Sequence, residues 1–160
     1  MSDAWPESEV LPEEWWTDIR RRVRRALVAA YGVEVGTEAA SDATTWAWEH
    51  RAEVVGMKNP AGYLYRVGQS ASRRYRRGPV GLPAFAPGAF DPGHDVDPRL
   101  PAALATLSAR QRSAVLLVHA HDYDLATAAE VLGCSVSSLR NHLARGLRHL
   151  RAQLGDYSDA

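Results

Sequence analysis

The chain has 160 residues, with 19 Lys plus Arg against 19 Asp plus Glu, and a single cysteine. That length allows one mid-sized domain or two small ones. One cysteine excludes an internal disulfide and a multi-cysteine zinc site, and suits an intracellular, cytoplasmic chain. No apolar run reaches membrane-spanning length and the N-terminus is acidic, so neither a membrane partner nor a signal segment is expected. Zero net charge argues against a nonspecific polycation, but not against a DNA binder whose charge is sorted locally.

The charge is sorted. Residues 66–77 (RVGQSASRRYRR) carry five arginines and no acid, and 140–151 (RNHLARGLRHLR) carry four arginines and two histidines, again with no acid. Between the two halves lies GPVGLPAFAPGAFDPGHDVDPRL, rich in Gly and Pro and without a helical or strand period. It reads as a linker over 78–100. The expected fold is therefore all-α, with two small helical domains over 13–77 and 101–154.

In the first body, Trp16, Ile19, Val23, Leu27 and Ala30 recur at helical spacing over residues 13–31, and Glu13, Glu14 and Asp18 suit the helix dipole. The run Arg20, Arg21, Arg22, Arg24, Arg25 is first of all a solvated face. A second helix is expected from about Glu38 to His50, presenting Ala39, Ala43, Trp46 and Ala47 to a core. A short polar loop follows. Asn59-Pro60 then starts a third helix, with Asn as N-cap and Pro at the first helical position. Leu64, Val67, Ala71 and Tyr75 form its apolar stripe up to about Arg77. Tyr63 and Tyr65, leading into Arg66, Arg73, Arg74 and Arg77, suit nucleic acid, because bases stack on rings while guanidinium groups hold phosphates. Tyr63 and Tyr65 as partly core residues beside a solubilising arginine face fit the same sequence equally well.

The second body is more specific. Ser108-Ala109-Arg110-Gln111 has the form of a capping box. Asp124 can cap a helix over Leu125–Leu132, which Gly133 ends in a left-handed stop, and Ser135 caps the next helix. A short helix, a Gly-containing turn and a longer helix make a helix-turn-helix pattern. In the last helix Val136, Leu139, Leu143, Leu147, Leu150 and Leu154 form the seam. The opposite side offers Ser137, Ser138, Arg140, Asn141, Ala144, Arg145 and Arg148. Arg pairs with guanine, Asn with adenine, and Ser with phosphate, so this face is assigned to DNA. Gly146 interrupts the helix and implies close packing or a kink.

Two stretches now carry a resemblance. One is Lys58-Asn59-Pro60-Ala61-Gly62-Tyr63-Leu64-Tyr65-Arg66-Val67. The other comprises Leu107-Ser108-Ala109-Arg110-Gln111-Arg112 with Ala128-Ala129-Glu130-Val131-Leu132-Gly133-Cys134-Ser135-Val136-Ser137-Ser138-Leu139. In this order they resemble small bacterial sigma factors of the extracytoplasmic-function group, or a sigma-like helix-turn-helix protein derived from them. The resemblance implies a region 2-like body that binds the clamp helices of core RNA polymerase and helps to melt the −10 element. It implies a region 4-like body that reads the −35 element and touches the polymerase flap, and an anti-sigma protein as a further partner. Carried over by position, Asn59, Tyr63, Arg66, Arg73, Arg74 and Arg77 serve the −10 side. Glu38, Asp42 and Trp46 serve the polymerase.

One stretch departs from the pattern. Where the clamp-binding helix of the family carries an acidic Gln-Glu segment followed by an aromatic, this chain has Glu38-Ala39-Ala40-Ser41-Asp42-Ala43-Thr44-Thr45-Trp46. The departure opens a second reading, a sigma-like DNA-binding regulator or protein-interaction module that does not support initiation. An enzyme ranks third. His119, His121, Asp122 and Asp124 suggest a metal only weakly, since alternating residues on a helix end point apart. Cys134 sits in a turn without an evident base. No cofactor, metal or small-molecule substrate is expected. Trp15, Trp16, Trp46 and Trp48 are more aromatic surface than a body of this size readily buries; core packing is the default for at least two of them, and exposed ones mark an interface.

Overall fold

The computed structural model describes residues 11–76 and 97–155, and the described residues are helical with no strand. The helices are α1 (Glu13–Tyr31), α2 (Val33–Glu49), α3 (Arg51–Val55), α4 (Pro60–Tyr75), α5 (Leu100–Thr106), α6 (Ala109–Val115), α7 (Leu125–Leu132) and α8 (Val136–Leu154). A π-helical turn over Leu116–Ala120 extends α6, and the backbone then reverses at Asp122, whose φ is 55°. Most of the expected linker, together with Arg77, lies outside the described residues.

The first three long helices pack on one another. Ile19, Val23, Ala26, Leu27 and Ala30 of α1 are buried, as the sequence period requires. Two boundaries differ from expectation. The second helix begins at Val33 rather than near Glu38, because α1 and α2 are separated by Gly32 alone, at φ 87°. The expected polar loop contains α3, a single turn that buries Val54.

Glycine makes the crossing of α1 and α2 close. A Cβ on Gly36 would lie 2.5 Å from Val28 Cα and 2.6 Å from the Leu27 carbonyl oxygen, both backbone atoms with no rotamer to yield. Gly36→Ala is therefore expected to lower stability by at least about 1–3 kcal/mol, against the gain in helix propensity that alanine normally brings. A thermal melt unchanged or raised in this variant contradicts the packing described here.

In the second half the local chemistry follows the sequence. Ser108 and Gln111 form both bonds of the capping box. Asp124 accepts from Thr127 N at 2.7 Å, Gly133 is left-handed at φ 64°, and Ser135 accepts from Ser138 N at 3.1 Å. Leu139 and Leu150 are buried, with Leu143, Leu147 and Leu154 half-buried beside them. Gly146 is a close contact rather than a kink, since a Cβ there would meet Val115 Cγ2 at 2.9 Å.

The two helical groups share a core. Val23 and Leu27 of α1, Leu64 and Tyr65 of α4, and Ala114, Leu117, Ala128, Val131 and Leu139 of the second group form one buried cluster. Arg112 of α6 lies inside this junction, 4% exposed. Its guanidinium donates to Ala29 O (2.8 Å) and Ala30 O at the end of α1, and to Leu104 O (3.4 Å) and Leu107 O (2.8 Å) at the end of α5. A cation against the carbonyl ends of two helices is favourable for both dipoles. Burial nevertheless pulls its pKa below the ordinary arginine value.

Candidate nucleic-acid interface

The N-terminal half of α8 projects from the second group with its polar face outward. Ser135 caps it, and the buried Leu139 fixes its rotation. Ser137, Arg140, Asn141, Ala144, Arg145 and Arg148 are consequently exposed. Arg140, Asn141, Arg145 and Arg148 have no hydrogen bond or ion pair with any described residue, so their donors are available to a ligand. Ser138 differs, for its hydroxyl is engaged with Ser135 Oγ at 3.0 Å, which makes it part of the cap. The arrangement is a capped helix with Arg and Asn on one outward face and no acid among them. Such a face can read base edges in a major groove.

A second stripe runs along α4. Tyr63, Arg66, Ser70, Arg73 and Arg74 are exposed, while Leu64, Tyr65, Gly68, Ala71 and Ser72 face the core. Tyr63 is 42% exposed, its ring 5.2 Å from that of Trp46. Tyr65 is the core tyrosine, its phenol pushed up to about 12, first by burial and then by Tyr31. Arg76, which the sequence reading did not single out, stacks on Tyr31 at 4.9 Å. Asn59 caps α4 by accepting from Gly62 N at 2.9 Å, and its amide nitrogen donates to Glu130 O of α7 at 2.8 Å. In this arrangement both polar atoms of Asn59 are engaged.

The three residues assigned to the polymerase separate. Glu38 is exposed on α2, in line with Glu34, Ser41, Thr45 and Trp48. Asp42 is held within the protein, accepting from Tyr75 OH at 2.7 Å with Arg74 at 3.8 Å, and this bond raises the Tyr75 pKa. Trp46 is half-buried, stacked on His50 at 4.2 Å. The exposed aromatic of α2 is Trp48, at 67%, beside a recess of about 50 Å³ lined by Trp16, Ala47, Leu64 and Arg20. Trp15, Trp16 and Trp46 pack against the core. The helical spacing that sets Trp46 on the core side with Ala39, Ala43 and Ala47 agrees with this packing and leaves Trp48 outward.

Among the described residues no group of His, Cys, Asp and Glu is placed to hold a metal. Burial pushes the Cys134 thiol up, away from the reactive thiolate. His121 and His142 are held below the ordinary histidine value of 6.5 by burial, helped by Arg25 in the first case and by Arg110 and Arg145 in the second. Their unfolded forms therefore take up protons first as pH falls below 6.5. The stability they contribute is present above that pH and is lost below it. Denaturant midpoints are expected to drop from about pH 7.5 to about pH 5.5, and the drop should shrink when both histidines are replaced by glutamine.

The fold and this face define a helical protein whose second group is a helix-turn-helix with an outward Arg and Asn face. Residues 98–150 match the family model described as sigma-70, region 4. Over the whole chain the structure is similar to that of the sigma factor RpoE, solved in complex with the anti-sigma factor NepR, from Bartonella quintana. The TM-score is 0.63 at 18% identity, over 91% of this chain and 97% of that one. No curated protein sequence matches the chain. The chain thus carries a sigma-70 region 4 segment on the all-α fold of a sigma factor, as its sequence resemblance implied. No helix among the described residues is long and apolar enough to cross a membrane.

Proposed function

We propose that the protein is a sigma factor of the extracytoplasmic-function type, which binds core RNA polymerase and directs promoter recognition and initiation. The observation that carries this reading is the unengaged Arg140–Asn141–Arg145 face on a region 4 helix-turn-helix, joined to a second helical group with its own arginine stripe. The working units are residues 13–77 and 101–154, linked by 78–100. Ser137, Arg140, Asn141, Ala144, Arg145 and Arg148 meet the −35 major groove. Tyr63, Arg66, Arg73 and Arg74 meet the −10 side, with Arg77 following in sequence. Glu38 meets the polymerase clamp, on the same face of α2 as Trp48. An anti-sigma protein is a fitting regulator, as RpoE has in NepR.

The test is a titration of purified core RNA polymerase with the full chain beside Glu38→Lys. Asp42 is a poor probe, because changing it also releases Tyr75 and Arg74. Tight binding weakened by Glu38→Lys supports the reading. Absence of binding, with promoter-DNA binding intact, favours the second reading, a sigma-like DNA-binding regulator. That alternative gains support from the internal engagement of Asp42 and from Ser41-Asp42 standing where the family carries Gln-Glu.

A further inference from the structure

The arginine stripe of α4 runs onto the helix-turn-helix. The guanidinium of Arg66 lies over the turn between α7 and α8, with Nε 3.8 Å and Nη2 3.9 Å from the position a Cβ would take on Gly133. Arg73 continues the line two turns along α4, rotated from Arg66 by only about 20°. Arg110 of α6 reaches the same region. Behind burial as the main cause, its charge acts on Tyr65 of α4, on Cys134 of the turn and, with Arg145, on His142 of α8.

Arg66, Arg73 and Arg110 are exposed, and like Arg140 and Arg145 they have no hydrogen bond or ion pair with any described residue. No acid interrupts the surface on either long helix, since α4 and α8 contain none. Arginine, serine and asparagine side chains without carboxylates complement a polyanion. The spacing suits a duplex. At most about 10 Å of chain separates Gly133 from Val136, and about 6 Å of helix separates Val136 from Arg140. Arg66 therefore stands beside α8 at a distance comparable with the major groove, which is about 12 Å wide and edged by a phosphate backbone on each side.

We propose that the polymerase-free protein binds duplex DNA as one unit, with α8 in the major groove and Arg66 and Arg110 on phosphates of the strand beside it. The inference rests on α8 reading DNA, and it adds a contact from the first helical group to that same site. Phosphate contacts fix register and orientation without carrying sequence, so Arg66 adds affinity and leaves the choice of site to α8. Arg66 then has two uses, a groove-edge phosphate in the free protein and the −10 side in the initiating complex.

The test uses the full chain without polymerase and a fluorescein-labelled duplex about three helical turns long, selected from a random-sequence pool by the wild type. Anisotropy titrations should show Arg66→Ala and Arg110→Ala each binding about 8-fold more weakly than wild type at about 0.1 M salt, with the difference vanishing toward about 1 M. Each should lower the slope of log K against log salt by about 0.9, on the selected duplex and on a scrambled one alike. Arg66→Lys should keep most of the affinity, because an ammonium also serves a phosphate as a point charge. Hydroxyl-radical cleavage of the duplex bound to Arg66→Ala should reappear at one cluster of sugars beside the major-groove site. An Arg66→Ala curve superimposable on that of the wild type, with Arg140→Ala weakened, overturns the proposal while α8 keeps its DNA-reading role. If the wild type selects no duplex and binds none at about 0.1 M salt, the proposal and that role fall together.

Discussion

Replacing Arg112 with alanine is expected to remove about 3–5 kcal/mol of stability, a large share of the 5–15 kcal/mol typical of a native protein. The side chain is 4% exposed, and the carbonyls of Ala29, Ala30, Leu104 and Leu107 are its acceptors. Leu104 O retains a second donor, the Leu107 amide at 3.2 Å, so three carbonyls lose the main bond. Two of them end α1, where the next residue that could donate to Ala29 O belongs to α2. Each buried acceptor left without a donor costs about 1–3 kcal/mol, and the sum falls short of additive because water enters the cavity. Lysine should restore only part of the loss. It keeps the charge, but a single ammonium cannot hold the planar spread of acceptors that a guanidinium fork serves. Urea denaturation followed by far-ultraviolet circular dichroism measures the difference. A midpoint unchanged in Arg112→Ala contradicts the buried placement of this residue.

Arg112 also shows where sequence reading stops. In Arg110-Gln111-Arg112 the two arginines look alike, yet Arg110 is exposed and Arg112 lies at the centre of the junction. What separates them is the end of α1, more than eighty residues earlier. The caps at Ser108, Asp124 and Ser135 and the stop at Gly133 were legible, because each is a bond or dihedral formed within a few residues. The leucine seam of α8 was legible for the same reason, since its period alone predicts which side is buried. The exposed Arg and Asn face follows as the remainder of that helix. Asn59 was legible as a cap through its oxygen, whereas its nitrogen bonds to Glu130, a residue no local pattern connects to it. Gly36, Gly62 and Gly68 mark close approaches of one helix to another, and a glycine carries no sign of what it approaches. Gly68, for instance, receives the side chain of Leu27. The expected division into two bodies has the same limit. Apolar stripes on α1 and α6 announce burial, but do not say that the two stripes bury each other.

Arg140→Ala and Arg145→Ala are each expected to weaken binding to a selected −35 duplex by about 1–3 kcal/mol, a 5- to 150-fold rise in Kd. Both side chains are exposed on the outward face of α8 and neither is committed to a described residue, so removing either leaves the fold without a lost bond. The effect should therefore appear in binding and not in the denaturation midpoint, which distinguishes these positions from Arg112. Two kinds of contact give different signatures. An arginine bidentate to a guanine edge loses discrimination at one base position, whereas an arginine on a phosphate loses affinity for all sequences alike. The phosphate contact also reduces the slope of log K against log salt by about 0.9. Arg140, near the capped N-terminus that the proposed function sets in the groove, should show the first signature. Arg148, two turns further along the helix, should show the second. Binding curves against ionic strength for the wild type and the three single variants separate these roles. Four identical curves would mean that the exposed face of α8 is solvated surface, and that the helix-turn-helix meets its partner elsewhere.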